Sequence, residues 1–427
     1  MGVFTLFIVF LSLMFLSVPV AFSLVITSMV VLLLKGDIPI IIIAQRMVNG
    51  LDNFTFLCLP LFILSGQLMN KTGITDDIFD FASSIVGHIK GGLGHVNVLA
   101  SMIFAGISGL AQADVASLGA IEMRSMVEKG YEKPFSAAIT AVSSIIGPII
   151  PPSVIMAFLS MIVGVSLARL FLAGFIPGIL MGISLMVTIY IQALRGKVKG
   201  EILGRQPFMV ILKKFLKAFP ALLMPVFLVF GLLAGIATPT EIGAVTFIYS
   251  LILGAFYKKL KFSILAEVFK ETLLIMGMMV FILSCAFPFG WLVTINNIPN
   301  ILCNFILFLS LDKWIILLLI NIVLLIMGSL MECTTILLIM TPVLFPIMLN
   351  LGLNPIHCAM IIIINLLIGG VTPPFGILVF VAADVAKLPI YSVFKEVIIF
   401  LIPLLFILFL VTYAPEIVLF LPNLILK

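Results

Sequence analysis

Long apolar runs separated by short polar segments follow one another along almost the whole chain. Stretches such as 315–327 are apolar on nearly every helical face, whereas a strand of a membrane barrel alternates apolar and polar residues. Because about 20 apolar residues cross the hydrocarbon core as a helix, the 427 residues have room for about a dozen helical elements. The pattern therefore predicts an all-α polytopic membrane protein.

Proline, glycine and polar positions divide the runs into segments. We expect a bend at Pro19 and a break at Pro60, and Asp76 and Asp77 begin an amphipathic segment that suits a helix lying along the membrane interface. The segments of the first half are 2–34, 51–70, 73–90, 94–130, 134–166 and 168–194. Those of the second half are 218–257, 271–294, 297–311, 313–350, 355–388 and 390–425.

Three landmarks recur at an offset of about 220 residues, which indicates an internal duplication. The matched pairs are Pro19 with Pro239, Gly106 with Gly328, and Pro151 with Pro373. We predict a first repeat over 1–200, a basic connector over 201–217 and a second repeat over 218–427.

Composition agrees with lipid as the solvent and excludes several classes of function. The chain is 63% hydrophobic and 10% charged, whereas a soluble domain has roughly 25% charged residues. The five cysteines form no CxxC pair and the three histidines no HxxxH motif, which argues against a zinc hydrolase. No Walker A motif is present, so ATP is not expected to drive the chain directly.

Loop charges indicate how the two halves are oriented. Residues 195–217 are rich in lysine and arginine with one acid, and a second basic cluster follows at 258–270. Such short basic loops stay cytoplasmic, and 218–257 is long enough for two spans between them. The loop around 35–50 is nearly charge-balanced. We therefore expect the halves to be inverted with both termini outside, with two parallel repeats as the alternative.

Four helix breaks lie at corresponding places in the two halves, in the sequences AGISGLAQAD, GPIIPPS, GSLMECTT and GGVTPPFG. Glycine and proline in mid-membrane free backbone polar groups, which is tolerated only inside protein or along a wet cavity. Paired discontinuous helices are a good sequence pointer to a transport site. The break residues that we assign to this site are Gly106, Gly109, Pro151, Pro152, Pro373, Pro374 and Gly376.

Polar side chains at these breaks suit a hard cation. Asp114 supplies a carboxylate, Ser108 a hydroxyl, and Ser153 is placed to cap the following half-helix. Asp114 could instead cap a helix or pair with Arg124, and Glu332 could be a structural acid paired across the bundle. Opposed half-helix ends offer carbonyls to cations and N–H groups to anions, so a Na⁺-coupled symporter of a carboxylate is favoured over a proton relay.

The chain resembles the large membrane subunit of TRAP (tripartite ATP-independent periplasmic) transporters, and in general appearance the sialic-acid branch. The resemblance rests on PLFILSGQLMNKTGI at 60–74, FAGISGLAQADVASLG at 104–119, GPIIPPS at 147–153, GIATPTEIGAV at 235–245, MECTTILLIMTPVLFP at 331–346 and GGVTPPFGI at 369–377. It covers essentially the whole chain. One departure is Leu110, where many members have a small polar residue.

The resemblance implies an elevator-type secondary transporter, in which a transport domain carries the site past a fixed scaffold. Transport elements would lie at 94–166 and 313–388. The scaffold would comprise 1–70, 168–194 and 218–294, with arms at 73–90 and 297–311 and a last helix at 390–425.

The resemblance also implies ligands and partners. The residues carried over by motif to a first Na⁺ site are Ser108, Asp114, Gly147 and Ser153, and those carried over to a second are Gly328, Glu332, Thr334 and Thr372. A small four-helix membrane subunit and a periplasmic substrate-binding protein would be the partners, in the bacterial inner membrane. The substrate would be sialic acid or a C4-dicarboxylate. Because the chain opens with its first helix, we expect the small subunit to be a separate chain.

Two other functions stay open from the residues alone. A stand-alone Na⁺-coupled dicarboxylate carrier would need no binding protein. An intramembrane enzyme would use Asp114 and Glu332 and show turnover without Na⁺ dependence, although we expect no enzymatic activity. A channel is disfavoured because repeated broken helices suit alternating access.

Overall fold

The computed structural model describes residues 2–52, 54–298, 301 and 312–426; for residues 2–4, 54, 55, 107 and 108 it describes the backbone only. Within these ranges all regular structure is helical, which confirms the predicted all-α class. The first half contains α1 (Gly2–Phe15), α2 (Val20–Lys35), α3 (Ile41–Leu51), α4 (Cys58–Lys71), α5 (Thr75–Val86), α6 (Gly92–Ser108), α7 (Ala111–Ala116), α8 (Leu118–Glu128), α9 (Lys133–Ser144), α10 (Val154–Val163) and α11 (Leu167–Leu194). The second half contains α12 (Phe208–Leu233), α13 (Pro239–Phe256), α14 (Phe262–Ile295), α15 (Lys313–Leu330), α16 (Cys333–Asn350), α17 (Pro355–Gly369), α18 (Ile377–Ala386), α19 (Ile390–Tyr413) and α20 (Pro415–Ile425).

Helix length and composition agree with a polytopic membrane protein. Seven of the described helices are long and apolar enough to cross a bilayer, namely α11, α12, α13, α14, α15, α16 and α19. Shorter apolar helices account for most of the first half. The predicted arm at 297–311 lies mostly outside the described residues.

Several predicted boundaries are wrong, and basic residues explain two of them. Helix α12 begins at Phe208 rather than 218, and α14 begins at Phe262 rather than 271. Lysine is a good helix former, so a lysine cluster indicates the side of the membrane without ending a helix. Lys217, on α12, reaches back to the buried Asp77 of α5 at 2.6 Å, which draws this helix onto the amphipathic segment.

Proline and turn positions account for the other differences. The predicted loop around 35–50 contains α3, and the break expected at Pro60 lies earlier, before α4 begins at Cys58. Pro60 falls in the first turn of α4, where a missing N–H group costs no hydrogen bond. The predicted last helix at 390–425 is divided at Ala414 into α19 and α20.

The long helix α14 runs antiparallel to α4 and also packs against α3. Near its beginning, Glu267 and Glu271 accept hydrogen bonds from Lys71 at the end of α4, both at 2.8 Å. Further along, Ser284 Oγ donates to the carbonyl of Met47 in α3 at 3.1 Å. The end of α4 therefore meets the beginning of α14, and α3 meets its second half.

Two hairpins, each followed by a broken helix, occupy corresponding places in the two halves. Helix α6 turns at Gly109 and Leu110 into α7 and α8, and the break between α9 and α10 follows. In the second half α15 turns at Met331 and Glu332 into α16, and the break between α17 and α18 follows. The elements therefore recur in the same order, as the sequence landmarks predict.

Candidate functional site

The tip of the first hairpin lies against the first proline break. Gly109 has a left-handed φ of +64°, and a Cβ atom at this position would stand 2.6 Å from the carbonyl oxygen of Pro152. A Cβ at Gly106 would stand 2.6 Å from the side chain of Pro225 in α12 and 3.5 Å from the carbonyl oxygen of Pro151. At Gly109 the contact is therefore between backbones, and glycine makes it possible.

The second hairpin repeats this contact with the second break. A Cβ added at Gly328 would stand 3.0 Å from the Cα of Gly369, so the two backbones touch. The N–H of Gly376 donates to the carbonyl of Ser329 at 3.3 Å. Each hairpin thus contacts, near its tip, the broken helix of its own half.

The proline breaks are built alike. The Pro151–Pro152 and Pro373–Pro374 peptides are both cis. After the first pair, Ser153 Oγ accepts a hydrogen bond from the N–H of Met156 at 3.1 Å and donates to the carbonyl of Pro148. The capping role predicted for Ser153 is therefore present. Thr372, before the second pair, donates its hydroxyl to the carbonyl of Ile368 at 2.8 Å.

Asp114 is buried and lies directly against Gly147. A Cβ at Gly147 would stand 2.4 Å from Asp114 Oδ2 and 3.1 Å from the carbonyl oxygen of Ser144. The structure therefore brings together two residues that the resemblance assigns to one ion site. Arg124, the alternative partner of Asp114, is exposed and donates to Glu128 at 2.9 Å. The side chain of Ser108 lies outside the described part.

Glu332 begins α16 as its N-terminal cap. Its Oε2 accepts from the N–H of Thr335 at 3.1 Å, and its Oε1 accepts from the hydroxyl of Thr334 at 2.9 Å. Both carboxylate oxygens thus bond within the hairpin tip, rather than across the bundle as the structural alternative expected. Gly328 and Thr372 lie where α15 meets the second break, whereas Glu332 and Thr334 lie beyond it at the tip.

A cavity of about 540 Å³ separates the hairpin tips from α14. Both tips, both broken helices and α14 contribute to its wall, with Gln67 from α4. Its polar side chains are Gln67, Gln112, Glu332, Thr334 and Thr335. A cavity of this size suits a small organic molecule.

The charges in this cavity restrict what it can do. None of the described residues that line it is a lysine, arginine or histidine. Glu332 is in the wall and Asp114 is not, so the two acids of the enzyme hypothesis do not share the cavity. An anionic ligand would have to be held by bound cations, neutral donors or helix N-termini.

Sequence reasoning missed several lining residues. Gln67 and Gln112 are polar positions inside apolar motifs, a signal that was available in the sequence. Met278 and Met279 look like ordinary core residues, and only the packing brings them to the cavity. Cys333 is half-buried and lines the cavity, unlike the buried Cys58, Cys285 and Cys358.

Comparison with known proteins shows the family of this chain. The family model described as "Tripartite ATP-independent periplasmic transporter, DctM component" matches residues 7–417. The Vibrio cholerae sialic acid TRAP transporter large permease protein SiaM is 40% identical over 418 residues, covering 97% of both chains. The Pseudomonas aeruginosa C4-dicarboxylate TRAP transporter large permease protein DctM is 37% identical over 382 residues, covering 89% of both.

Two further likenesses concern a fused relative and the fold. The isethionate TRAP transporter permease protein DctMQ of Oleidesulfovibrio alaskensis is 35% identical over 424 residues, which are 98% of this chain and 65% of that protein. The crystal structure of the Alcanivorax borkumensis YdaH transporter matches with a TM-score of 0.58 and 12% identity, covering 86% of both chains. The second likeness concerns the fold alone.

These matches confirm the predicted family and exclude the enzyme hypothesis, because the family is one of transporter permeases. This multi-pass chain therefore belongs to the DctM family, the large membrane component of TRAP transporters.

Proposed function

We propose that this chain is the membrane-embedded transport subunit of a Na⁺-coupled uptake system for an organic acid. The observation that carries the proposal is the cavity enclosed by both hairpin tips, both broken helices and α14. Secondary active symport in the bacterial inner membrane, without ATP, follows from this assignment.

Oxygen atoms near the breaks support Na⁺ as the coupling ion. Asp114 Oδ2 and the carbonyl oxygen of Ser144 converge beside Gly147, and a hard cation takes such oxygen ligands. Ser108 and Ser153 are the further candidates at this site. Gly328, Glu332, Thr334 and Thr372 are the candidates at the second.

Relatives support an organic acid as the substrate. Those compared above are named for sialic acid, C4-dicarboxylates and isethionate, which are all anions at neutral pH. Since no described lining residue is basic, bound Na⁺ and the N-terminal ends of α10, α16 and α18 would balance the negative charge of the ligand. Coupling would then follow, because the acid binds well only when Na⁺ is present.

The two sides of the cavity support an elevator movement. One side is formed by α14 with Gln67 of α4, and the other by the hairpin tips and broken helices. Sliding of the second group along the first would carry the site across the membrane. In this proposal the elements 94–166 and 313–388 form the moving domain.

A small membrane subunit and a periplasmic substrate-binding protein are the proposed partners. Fusion of an additional segment in the longer relative DctMQ fits a membrane partner for this chain. The binding protein would supply capture specificity, because the cavity itself presents few polar side chains.

Reconstitution tests the proposal. We expect the chain and its small subunit, in proteoliposomes with an inward Na⁺ gradient, to accumulate labelled sialic acid or labelled succinate when the loaded binding protein is outside. Replacing Na⁺ by choline should abolish uptake. Uptake that does not depend on Na⁺ would contradict the coupling. Uptake by this chain alone that equals uptake by the complete system would favour the stand-alone carrier.

Cys333 provides an independent test of the cavity, because its thiol is a native reporter in the wall. We expect the negatively charged thiol reagent MTSES to inhibit uptake, and substrate with Na⁺ to protect. A Cys333→Ala variant should be insensitive to the reagent. Inhibition without protection would argue that the substrate binds elsewhere.

A further inference from the structure

A second cavity, of about 380 Å³, lies further along α14. Arg46 and Asn49 of α3 line it together with Trp291 and Thr294 of α14. On the opposite side it is bounded by the end of α10 and by Leu338 and Pro342 of α16.

The two cavities follow one another along the same helices. On α14 the first is lined by residues within 275–282, and the second by residues within 283–294. On α16 the first cavity is lined by the tip residues 332–335, and the second by Leu338 and Pro342. On α10 the order is Ile155 and then Ile162. The second cavity therefore continues the path along which the hairpin tips would slide.

Topology places the second cavity on the outer side. The beginning of α14 follows the lysine cluster at 258–261 and carries Lys270, and such clusters stay cytoplasmic. Residues 283–294 lie at the other end of this helix. The second cavity is thus nearer the periplasm than the first.

The scaffold-side walls of the two cavities differ in charge. In the first cavity α14 contributes Ile275, Met278, Met279 and Ile282, none of which can pair with an anion. In the second, the guanidinium carbon of Arg46 lies 5.0 Å from the ring centroid of Trp291. Arg46 is exposed, and among the described residues no carboxylate lies within salt-bridge distance of it.

We propose that Arg46 is a specificity-determining residue of the outward-facing site, where its guanidinium binds the acid group of the substrate. This inference rests on the proposed elevator movement. A shift of the hairpin tips by about 12 residues along α14, or roughly 18 Å at 1.5 Å per residue, brings the substrate beside Arg46. In the arrangement described here the substrate has lost this contact.

The asymmetry gives the carrier different affinities for acids on its two sides, while the gradients set the direction of net transport. Guanidinium–carboxylate and guanidinium–sulfonate hydrogen bonds are charge-assisted and among the stronger ones, and stacking on Trp291 holds the guanidinium plane in place. An acid is therefore bound more tightly at the outer end of its path than at the inner end. Release into the cytoplasm follows from the apolar wall of α14 around the first cavity.

Substitution of Arg46 tests the inference in the reconstituted complex, with labelled sialic acid and labelled succinate as probes. We expect Arg46→Gln to raise the external half-saturating concentration of loaded binding protein at least tenfold, and Arg46→Lys to raise it less. The matched control is Arg169→Gln, because Arg169 is also an exposed arginine, bonded to the carbonyl of Leu426, and lines neither cavity. It should leave uptake unchanged.

A second readout isolates the inner site. In inside-out vesicles, the substrate concentration that half-protects Cys333 from MTSES should stay within twofold of wild type in Arg46→Gln. An unchanged external half-saturation, or an equal shift on both sides, would overturn the inference. If the wild-type complex itself shows no Na⁺-driven uptake, the proposed function fails instead.

Chemical restoration of charge avoids variants that assemble poorly. In a Cys333→Ala background, Arg46→Cys can be modified after assembly with the cationic reagent MTSET or the anionic MTSES. We expect MTSET to restore uptake at least severalfold and MTSES to suppress it further. Equal effects of the two reagents would show that charge at this position is irrelevant.

Discussion

A single added carbon atom at Gly147 would disturb the candidate ion site directly. The position of its missing Cβ is 2.4 Å from Asp114 Oδ2, so a methyl group has to push the buried carboxylate aside. We expect Gly147→Ala to raise the Na⁺ concentration for half-maximal uptake at least tenfold, measured from the Na⁺ dependence of labelled substrate uptake.

Gly277 provides the matched control for this substitution. It lies inside α14 with open space around its Cβ position, and alanine in a helix interior is favoured over glycine by about 1 kcal/mol. Gly277→Ala should therefore keep the Na⁺ curve of wild type. A normal Na⁺ curve in Gly147→Ala would remove this pair of residues from the ion site.

At the residue scale, the sequence predicts contacts between residues that are close together in the chain. The cap formed by Ser153 follows from its place directly after two prolines and before an apolar run, because the acceptor and donor are three residues apart. The approach of Asp114 to Gly147, more than 30 residues away, came from the family resemblance. Arg46 beside Trp291 joins distant segments, and no spacing rule in the sequence encodes that contact.

At the scale of elements, each hairpin tip rests on the backbone of a broken helix. Gly109→Ala adds both a backbone penalty at φ +64° and a clash with the carbonyl oxygen of Pro152. Gly352 has a φ of +77° but nothing within 4 Å of its Cβ position, so Gly352→Ala carries the backbone penalty alone, of about 1–2 kcal/mol.

The two variants together separate strain from contact. We expect Gly109→Ala to lower Na⁺-driven uptake at least tenfold, and Gly352→Ala to leave uptake near normal with a slightly lower melting temperature. Thermal melts of purified protein and uptake assays provide the two readouts. Equal losses of uptake in both variants would mean that the tip-to-break contact is not required.

Movement of the second hairpin along α14 can be followed with Cys333 as one partner of a disulfide. In the present arrangement the tip and Ile282 line one cavity, whereas Thr294 lines the next. With the other native cysteines replaced, we expect both Ile282→Cys and Thr294→Cys to form cross-links with Cys333, each trapping a different arrangement.

Substrate and Na⁺ should change the ratio of the two cross-links, measured by gel shift after mild oxidation. Leu349→Cys is the control, because Leu349 is exposed at the far end of α16 and lines neither cavity. It should cross-link to neither scaffold position. A cross-link with Ile282→Cys alone, under all conditions, would contradict the sliding movement.

Element boundaries were less predictable than the order of elements. Helix breaks at Gly109 and at the two proline pairs were predictable because those residues interrupt backbone hydrogen bonding, whereas the break predicted at Gly106 is wrong, since Gly106 lies inside α6. The predicted beginning of α12 is wrong because the cluster of Lys213, Lys214 and Lys217 is typical of a connector between helices. All three lysines lie within α12, and Lys217 forms a salt bridge with Asp77.

At the scale of the whole molecule, the charge pattern predicts which loops face the cytoplasm. Ala234 directly follows α12 and Ser263 is the second residue of α14, and both are exposed. In a cysteine-free background we expect a membrane-impermeant maleimide, added to intact cells, to label Ala234→Cys but not Ser263→Cys.

Permeabilised cells provide the control, because both positions should then be labelled equally. Labelling of Ser263→Cys from outside would reverse the orientation and place the Arg46 cavity on the cytoplasmic side. The fold class and the repeated order were predictable because lipid imposes apolar helices. Which cavity the hairpin tips occupy depends on packing between distant helices, which no local pattern determines.

The unbroken length of α14 has a consequence for the direction of travel. Its apolar part after Glu271 has about 24 residues, or roughly 36 Å at 1.5 Å per residue, against a hydrocarbon thickness of about 30 Å. A stretch of this length is accommodated by leaning away from the bilayer normal. A hairpin that follows a leaning helix moves sideways in the plane of the bilayer as it crosses. Each transport cycle would then displace neighbouring lipids, so the turnover rate should depend on bilayer thickness and acyl-chain order as well as on the Na⁺ gradient.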